Sequence, residues 1–224
     1  MNSVVLVTVK EPERAKLRMA PLLSAEERSL IAWAMFEDAV QALQPLSNSH
    51  EIALVTNSSR AAEKARQIRW RVLWETAQIS ESASVDQASA QLAAEGVDAV
   101  LRIPADIPLI RTEDIQMILA ESATRGSAVL VPSWDRMGTN AVLRTPPTLF
   151  PSRFGHNSLV LHTQEALRAQ ASLKILENER LALDLDDASD LLRFLERGSE
   201  TATFRLLQEL ELNERLSVST SGNL

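Results

Sequence analysis

Apolar and polar positions fall into blocks along this chain, and block length and period separate strands from helices. Residues 4–9 form an aliphatic run with the length of one buried strand. Ser24-Ala25-Glu26-Glu27 has the spacing of a capping box. After it Leu30, Ile31, Ala34, Met35, Asp38, Ala39, Ala42 and Leu43 recur with a helical period until Pro45. Residues 52–56 read as a second strand, 60–67 as a short helix, and 70–74 as a third strand near a sheet edge. Ser84-Val85-Asp86-Gln87 reads as a further capping box, opening an alanine-rich helix that closes at Gly96. Residues 97–103 form another aliphatic run, stopped by Pro104-Ala105-Asp106-Ile107-Pro108. Proline cannot continue a central ladder, so Asp106 stands at the carboxyl end of a buried strand. That edge is where open α/β sheets bind ligands, although aspartate serves turns equally well.

Beyond that point the pattern predicts a helix from Thr112 to Gly126, strands over 128–131 and 140–144, and a helix over 157–170. Residues 181–186 read as a strand, Asp187 as the cap of a helix running through Phe194, and 201–210 as a last short helix. Strands alternate with helices over the first 130 or so residues, which predicts βαβ units and a mainly parallel sheet. No linker or internal repeat interrupts the pattern. A single α/β domain over residues 1–212 is expected, with a flexible tail over 213–224, and with the region from about residue 133 forming a lid or sub-sheet over the site.

Composition narrows the function classes. The net charge of −7 argues against a nucleic-acid surface, so a local cluster of cations carries information. The absence of cysteine excludes disulfides, zinc–thiolate centres and a cysteine nucleophile. The first residues lack the pattern of a secretory signal, and no apolar run has the roughly 20 residues that span a bilayer. A cytoplasmic location without membrane contact is expected.

Asp184 and Asp186 lie two apart in a strand-like pattern, hence on one face. Two carboxylates on one face repel unless a cation joins them. Asp106 supplies a third, and such oxygen donors suit Mg²⁺; the plainer alternative is a solvated acidic end that caps the next helix. Lys10, Arg14, Lys16 and Arg18 follow the first strand, where many nucleotide-binding α/β folds hold phosphate, although charge runs are usually solvated loops. The loop has no glycine, so neither a Rossmann nor a P-loop fingerprint is present. Gly138-Thr139-Asn140 and Phe154-Gly155-His156-Asn157-Ser158 are small-residue turns suited to an anion, or to simple helix capping. His162 lies four residues after Ser158, on the same helical face, and reads as a structural histidine.

Taken in order, these stretches resemble the phospholactate guanylyltransferase (CofC/FbiD) family of coenzyme F420 biosynthesis. The resemblance runs from about Val4 to Leu191. It is carried by Val9-Lys10, the run Ala15-Lys16-Leu17-Arg18-Met19-Ala20-Pro21-Leu22-Leu23-Ser24, Pro104-Ala105-Asp106-Ile107-Pro108-Leu109, Gly138-Thr139-Asn140-Ala141, the turn at Gly155 with His162, and Leu183-Asp184-Leu185-Asp186-Asp187. Lys16-Leu17-Arg18-Met19 stands where the family usually has Lys-Ser-Arg-Leu, and Val85-Asp86 where it often has Leu-Asn. The resemblance implies a nucleotide-diphospho-sugar-transferase-like fold of GT-A type, a mixed, mainly parallel sheet flanked by helices. It implies transfer of GMP from GTP to 2-phospho-L-lactate, phosphoenolpyruvate or 3-phospho-D-glycerate, with release of pyrophosphate. Asp106, Asp184 and Asp186 would then hold Mg²⁺. Lys10, Thr139, Gly155 and Ser158 would bind the acceptor. Lys16 and Arg18 would face the triphosphate, with Asp86 and Asp106 on the nucleotide side. Lys10, Lys16, Arg18 and Asp106 would carry the catalysis. It admits a homodimer and a hand-off of product to the next transferase of the pathway. The alternatives are a nucleotidyltransferase of the same fold with another NTP or acceptor, and a non-catalytic nucleotide-binding paralogue.

Overall fold

The computed structural model describes residues 2–11, 16–76, 79–197, 200–212 and 214–216. Its centre is one seven-stranded sheet of order β3-β2-β1-β4-β6-β5-β7. The strands are β1 (Ser3–Val9), β2 (Glu51–Thr56), β3 (Arg71–Trp74), β4 (Ala99–Pro104), β5 (Ser127–Pro132), β6 (Thr139–Thr145) and β7 (Ser172–Ile175). The pairs β1–β2, β1–β4, β2–β3 and β5–β7 are parallel, while β6 runs antiparallel to both β4 and β5. The helices are α1 (Ala25–Leu43), α2 (Ser59–Gln67), α3 (Glu81–Ala94), α4 (Thr112–Leu119), α5 (Ser158–Arg168), α6 (Ala188–Arg197) and α7 (Ala202–Glu209).

The two-residue period of a strand assigns the aliphatic positions to opposite faces. Val5, Val7 and Val9 of β1 join a core containing Trp33, Phe36 and Leu43 of α1 and Ile115 of α4. Val4 and Leu6 face the other way, onto Val85, Ala88 and Leu92 of α3. With both faces covered, the inner strands are continuous runs of Val, Ile and Leu, as parallel strands require. A further cluster packs Met19 and Leu23 with Ile31 and Met35 of α1, Leu183, Leu185, Leu191 and Phe194, and Leu207, Leu212 and Leu216. Asp38 of α1 fixes the start of α7, accepting hydrogen bonds from the amides of Ala202 (2.6 Å) and Thr203 (3.0 Å).

Most helix starts follow the sequence signals. Ser24 and Glu27 form the expected reciprocal cap. Three expectations are corrected. First, α3 begins one turn before Ser84: Ser80 caps it through the Ala83 amide, and the Ser84 hydroxyl donates back to the Ser80 carbonyl within the helix. Second, residues 181–186 form no strand: 181 and 182 belong to a turn, closed by the Ala182 amide on the Asn178 carbonyl, and the rest runs on without joining the sheet. Their backbone is held instead by Trp134 N donating to the Ala182 carbonyl and by Leu185 N donating to the Asp106 carbonyl. The alternation survives, with Leu181, Leu183 and Leu185 buried and Ala182, Asp184 and Asp186 partly exposed between them. The strand at this end of the sheet is β7, an edge strand with little burial whose order comes from pairing with β5. Third, the region after residue 133 is not a separate lid or sub-sheet, because β6 is hydrogen-bonded between β4 and β5 in the main sheet. The tail expected over 213–224 lies outside the described residues except at 214–216, where Leu216 is buried.

Strand order reverses between β1, which leads outward to β2 and β3, and β4, which leads the other way. Open α/β sheets bind ligands at the carboxyl edge of such a reversal. Lys10 follows β1, Asp106 follows β4, and antiparallel β6 brings its first residue, Thr139, to the same edge.

Candidate active site

A cleft of about 890 Å³ opens at this edge. Lys10, Lys16, Arg18, Asp106, Thr139, Gly155, Ser158, Asp184 and Asp186 all line it. Asp86 does not. Its carboxylate accepts from Arg144 Nη1 (3.0 Å) and from the Ser152 amide and hydroxyl (2.7 Å to the latter), which ties α3 to the segment before α5. A buried arginine needs such a partner, and Arg144 is almost wholly buried, so Asp86 has a structural task in the fold. Arg14 lies outside the described residues.

The acidic end of the cleft is organised by Lys16. Its backbone is left-handed (φ +56°), and its ammonium sits 2.7 Å from Asp106 Oδ2 and 2.7 Å from Asp186 Oδ1. Burial works to lower the pKa of this ammonium, but Asp106 and Asp186 outweigh it and hold the group above its ordinary value. Burial works to raise the Asp106 pKa, and Lys16, then Arg102, hold it below the usual carboxylate range. Asp184 is pushed up to about 7, by burial first and then by Asp106 and Asp186. Asn140 fastens the carrying segment: its amide nitrogen lies 2.9 Å from the Leu181 carbonyl and 3.0 Å from Asp184 Oδ1. Asp190 holds the next turn through the amides of Asp186 (2.9 Å) and Asp187 (3.0 Å) and the indole N–H of Trp134 (2.9 Å).

Among the described residues no three His, Asp or Glu side chains stand in ready metal-ligating geometry, and it is Lys16 that bridges Asp106 to Asp186. The donor chemistry nevertheless fits a hard divalent cation. All three candidates offer carboxylate oxygen, Oδ1 of Asp106 is buried without a hydrogen-bond partner, and Asp184 carries the repulsion of the other two.

The opposite wall is built for hydroxyl donors. Thr139 and Ser158 are buried side chains whose hydroxyl oxygens lie 3.3 Å apart. His162, with no exposed surface, places Nδ1 3.1 Å from Thr139 Oγ1 and accepts at Nε2 from the Arg153 amide (2.8 Å). Burial, with Arg102 and Arg144, lowers its pKa to about 3, so the ring is neutral. Gly155 (φ +117°) turns the chain into α5 in a conformation that a side chain would strain. Gly138 closes the facing turn, where an added Cβ would meet Ser133 Oγ at 2.9 Å. The amides of Ser158 and Leu159 donate to the Gly155 and Met137 carbonyls, so this wall relies on its hydroxyls.

The sequence matches the CofC-like guanylyl transferase family over residues 3–224. Among curated relatives, a phosphoenolpyruvate guanylyltransferase of Rubrobacter xylanophilus is 31% identical over 198 residues, covering 88% of this chain and 96% of that protein. The chain belongs to the CofC-like guanylyl transferase family. A 3-phospho-D-glycerate guanylyltransferase of Colwellia psychrerythraea is 28% identical, with 85% and 90% of the two chains covered. A solved structure described as a nucleotide-diphospho-sugar transferase, from Desulfovibrio desulfuricans G20, superposes with a TM-score of 0.79 at 19% identity, over 96% of this chain and 97% of that one. That likeness fixes the fold as the nucleotide-diphospho-sugar-transferase type expected from the sequence.

Within this family fold, two cleft residues escaped the sequence reading. Arg102 of β4 is buried, stacks its guanidinium 4.2 Å from the Phe154 ring centre, and pairs with Glu81, the first residue of α3. Burial lowers the Arg102 pKa to about 10, with Asp106 and Asp184 acting against it. The signal was present: an arginine inside a buried aliphatic strand demands partners. Glu81 had no comparable signal, because its place at the floor depends on where α3 begins.

Proposed function

We propose that this protein transfers GMP from GTP to a three-carbon acid carrying both phosphate and carboxylate, releasing pyrophosphate, as one step of coenzyme F420 biosynthesis. Family membership supports the guanylyl transfer. The observation that carries the acceptor class is the cleft's division into a carboxylate–lysine end and a hydroxyl-lined wall. Asp106, Asp184 and Asp186 would hold Mg²⁺. Bound there, it would screen the repulsion between the triphosphate and the incoming acceptor phosphate. Lys10 and Arg18, both exposed and lining the cleft, supply further positive charge for anionic ligands. Thr139, backed by the Ser158 hydroxyl that donates to it, donates to the acceptor's anionic oxygens and orients it. A phosphate oxygen of the acceptor then attacks the α-phosphorus of GTP, the bond to the bridging oxygen breaks, and pyrophosphate carries off the electron pair. The acceptor phosphate is already ionised near neutral pH, so no general base is needed, and His162, behind the hydroxyl wall, is neutral with both ring nitrogens hydrogen-bonded. The product is a phosphoanhydride, suited to consumption by a following transferase.

The test is mass spectrometry of reactions containing GTP, Mg²⁺ and, in turn, phosphoenolpyruvate, 3-phospho-D-glycerate and 2-phospho-L-lactate. A guanylylated acid with at least one of them, and none with lactate or glycerol phosphate, is the expected result. Pyrophosphate-free mixtures throughout would overturn the reading.

The raised Asp184 pKa adds a pH signature. Below about pH 7 this carboxyl is protonated in the metal-free protein and must lose that proton to coordinate a cation. Mg²⁺ affinity, measured by titration calorimetry, is therefore expected to rise from pH 6 to pH 8, with a proton released on binding at the lower pH. A pH-independent affinity would remove Asp184 from the metal set.

A further inference from the structure

We propose that His162 is a positioning residue that turns the Thr139 hydroxyl proton into the cleft; this rests on the acceptor pocket described above. The argument is one of donor and acceptor counting. Nε2 of His162 lies 2.8 Å from the Arg153 amide nitrogen, whose hydrogen it must accept. A neutral imidazole that accepts at one nitrogen donates from the other, so the proton is on Nδ1, 3.1 Å from Thr139 Oγ1. Thr139 Oγ1 also receives the Ser158 hydroxyl at 3.3 Å. With two donors on its lone pairs, Thr139 keeps its own proton for a third partner, and Thr139 lines the cleft. The wall therefore presents a donor, fit for an anionic oxygen and unfit for a cation or an amide N–H.

Two further contacts hold the ring and its partner in this arrangement. Arg153 is paired with Glu165 of α5 (Nε to Oε1 2.9 Å), which fixes the segment whose amide faces Nε2. Phe154 meets the ring edge-on at 4.8 Å between centres and packs against it. The relay runs from Arg153 N–H through His162 to Thr139, with no solvent-exposed member in the ring itself.

Two substitutions separate orientation from packing. An asparagine amide reaches the place of Nδ1, and a glutamine amide that of Nε2; both remove the ring and cost similar packing. His162→Asn should leave the acceptor KM within about threefold, whereas His162→Gln should raise it about tenfold or more, the scale of one hydrogen bond to a charged group. The GTP KM should stay unchanged in both. In a Thr139→Val background, which has no hydroxyl to orient, His162→Gln should add less than about twofold. Nitrogen-15 NMR of the wild-type protein should place the proton on Nδ1. A proton on Nε2, equal acceptor KM values for the Asn and Gln variants, or an additive effect in the Thr139→Val background would each overturn the inference. If Thr139→Val alone leaves the acceptor KM unchanged, the acceptor pocket itself is misplaced and the inference falls with it.

Discussion

Asp106→Asn should lower kcat by about two orders of magnitude or more at saturating GTP and Mg²⁺, the scale of losing one strong electrostatic contact to the reacting centre. The substitution keeps shape and removes one negative charge. Asp106 is the junction of the acidic end: it pairs with Lys16, feels Arg102, raises Asp184, and leaves one buried oxygen without a partner. Asp186→Asn should cost less, because its side chain is 45% exposed and solvent screens the missing charge. Pyrophosphate release checks the rates, and thermal unfolding checks that the fold survives. An Asp106→Asn enzyme within about fivefold of wild type would move the reacting centre away from β4.

The second large effect is expected at Lys16. Lys16→Met keeps the stem and removes the ammonium, leaving Asp106 and Asp186 to face each other. Breaking a buried ion pair from one side costs about 3–5 kcal/mol, and the solvent access of Asp186 reduces this to about 2–3 kcal/mol, readable by urea unfolding of the metal-free protein. The same change removes the cation that competes for two carboxylate oxygens, so Mg²⁺ should bind the free variant about tenfold more tightly. The kcat/KM for GTP should nevertheless fall by about 10- to 100-fold, since a charge near the triphosphate is gone. Tighter metal with weaker turnover is the distinguishing pair of results. Unchanged stability together with unchanged Mg²⁺ affinity would mean that Lys16 is not engaged with the carboxylates in solution.

What could be read from the sequence follows from what depends on local rules. The end of β4 was legible because two prolines forbid continuation. The shared face of Asp184 and Asp186 was legible because it needs only an extended backbone, and it survived although residues 181–186 join no sheet. β7 was illegible: in Ser172–Ile175 only Leu173 is partly buried, and pairing with β5 makes the segment a strand. The start of α3 was misread by one turn because both Ser80 and Ser84 have cap chemistry, and only tertiary packing selects between them. The pairing of Asp86 with Arg144 was illegible, since nothing local announces a partner 58 residues away. His162 was read as structural from its helical position; that the ring also directs a neighbour's proton depends on Arg153 and Thr139, 9 and 23 residues away in sequence.

The cluster that joins Met19 and Leu23 to Leu183, Leu185, Leu207, Leu212 and Leu216 has a consequence for synthesis. The turn bearing Lys16 and the segment bearing Asp184 and Asp186 rest on the same late helices, and Asp38 docks on the first turn of α7. A nascent chain can pair β1, β2, β3 and β4 as they emerge, yet it lacks the surface on which both halves of the acidic end are seated. Until residues beyond 200 leave the ribosome, three carboxylates and a lysine have no fixed mutual distance. The acidic end is then the part of the cleft that the chain completes last, after its sheet is already in place.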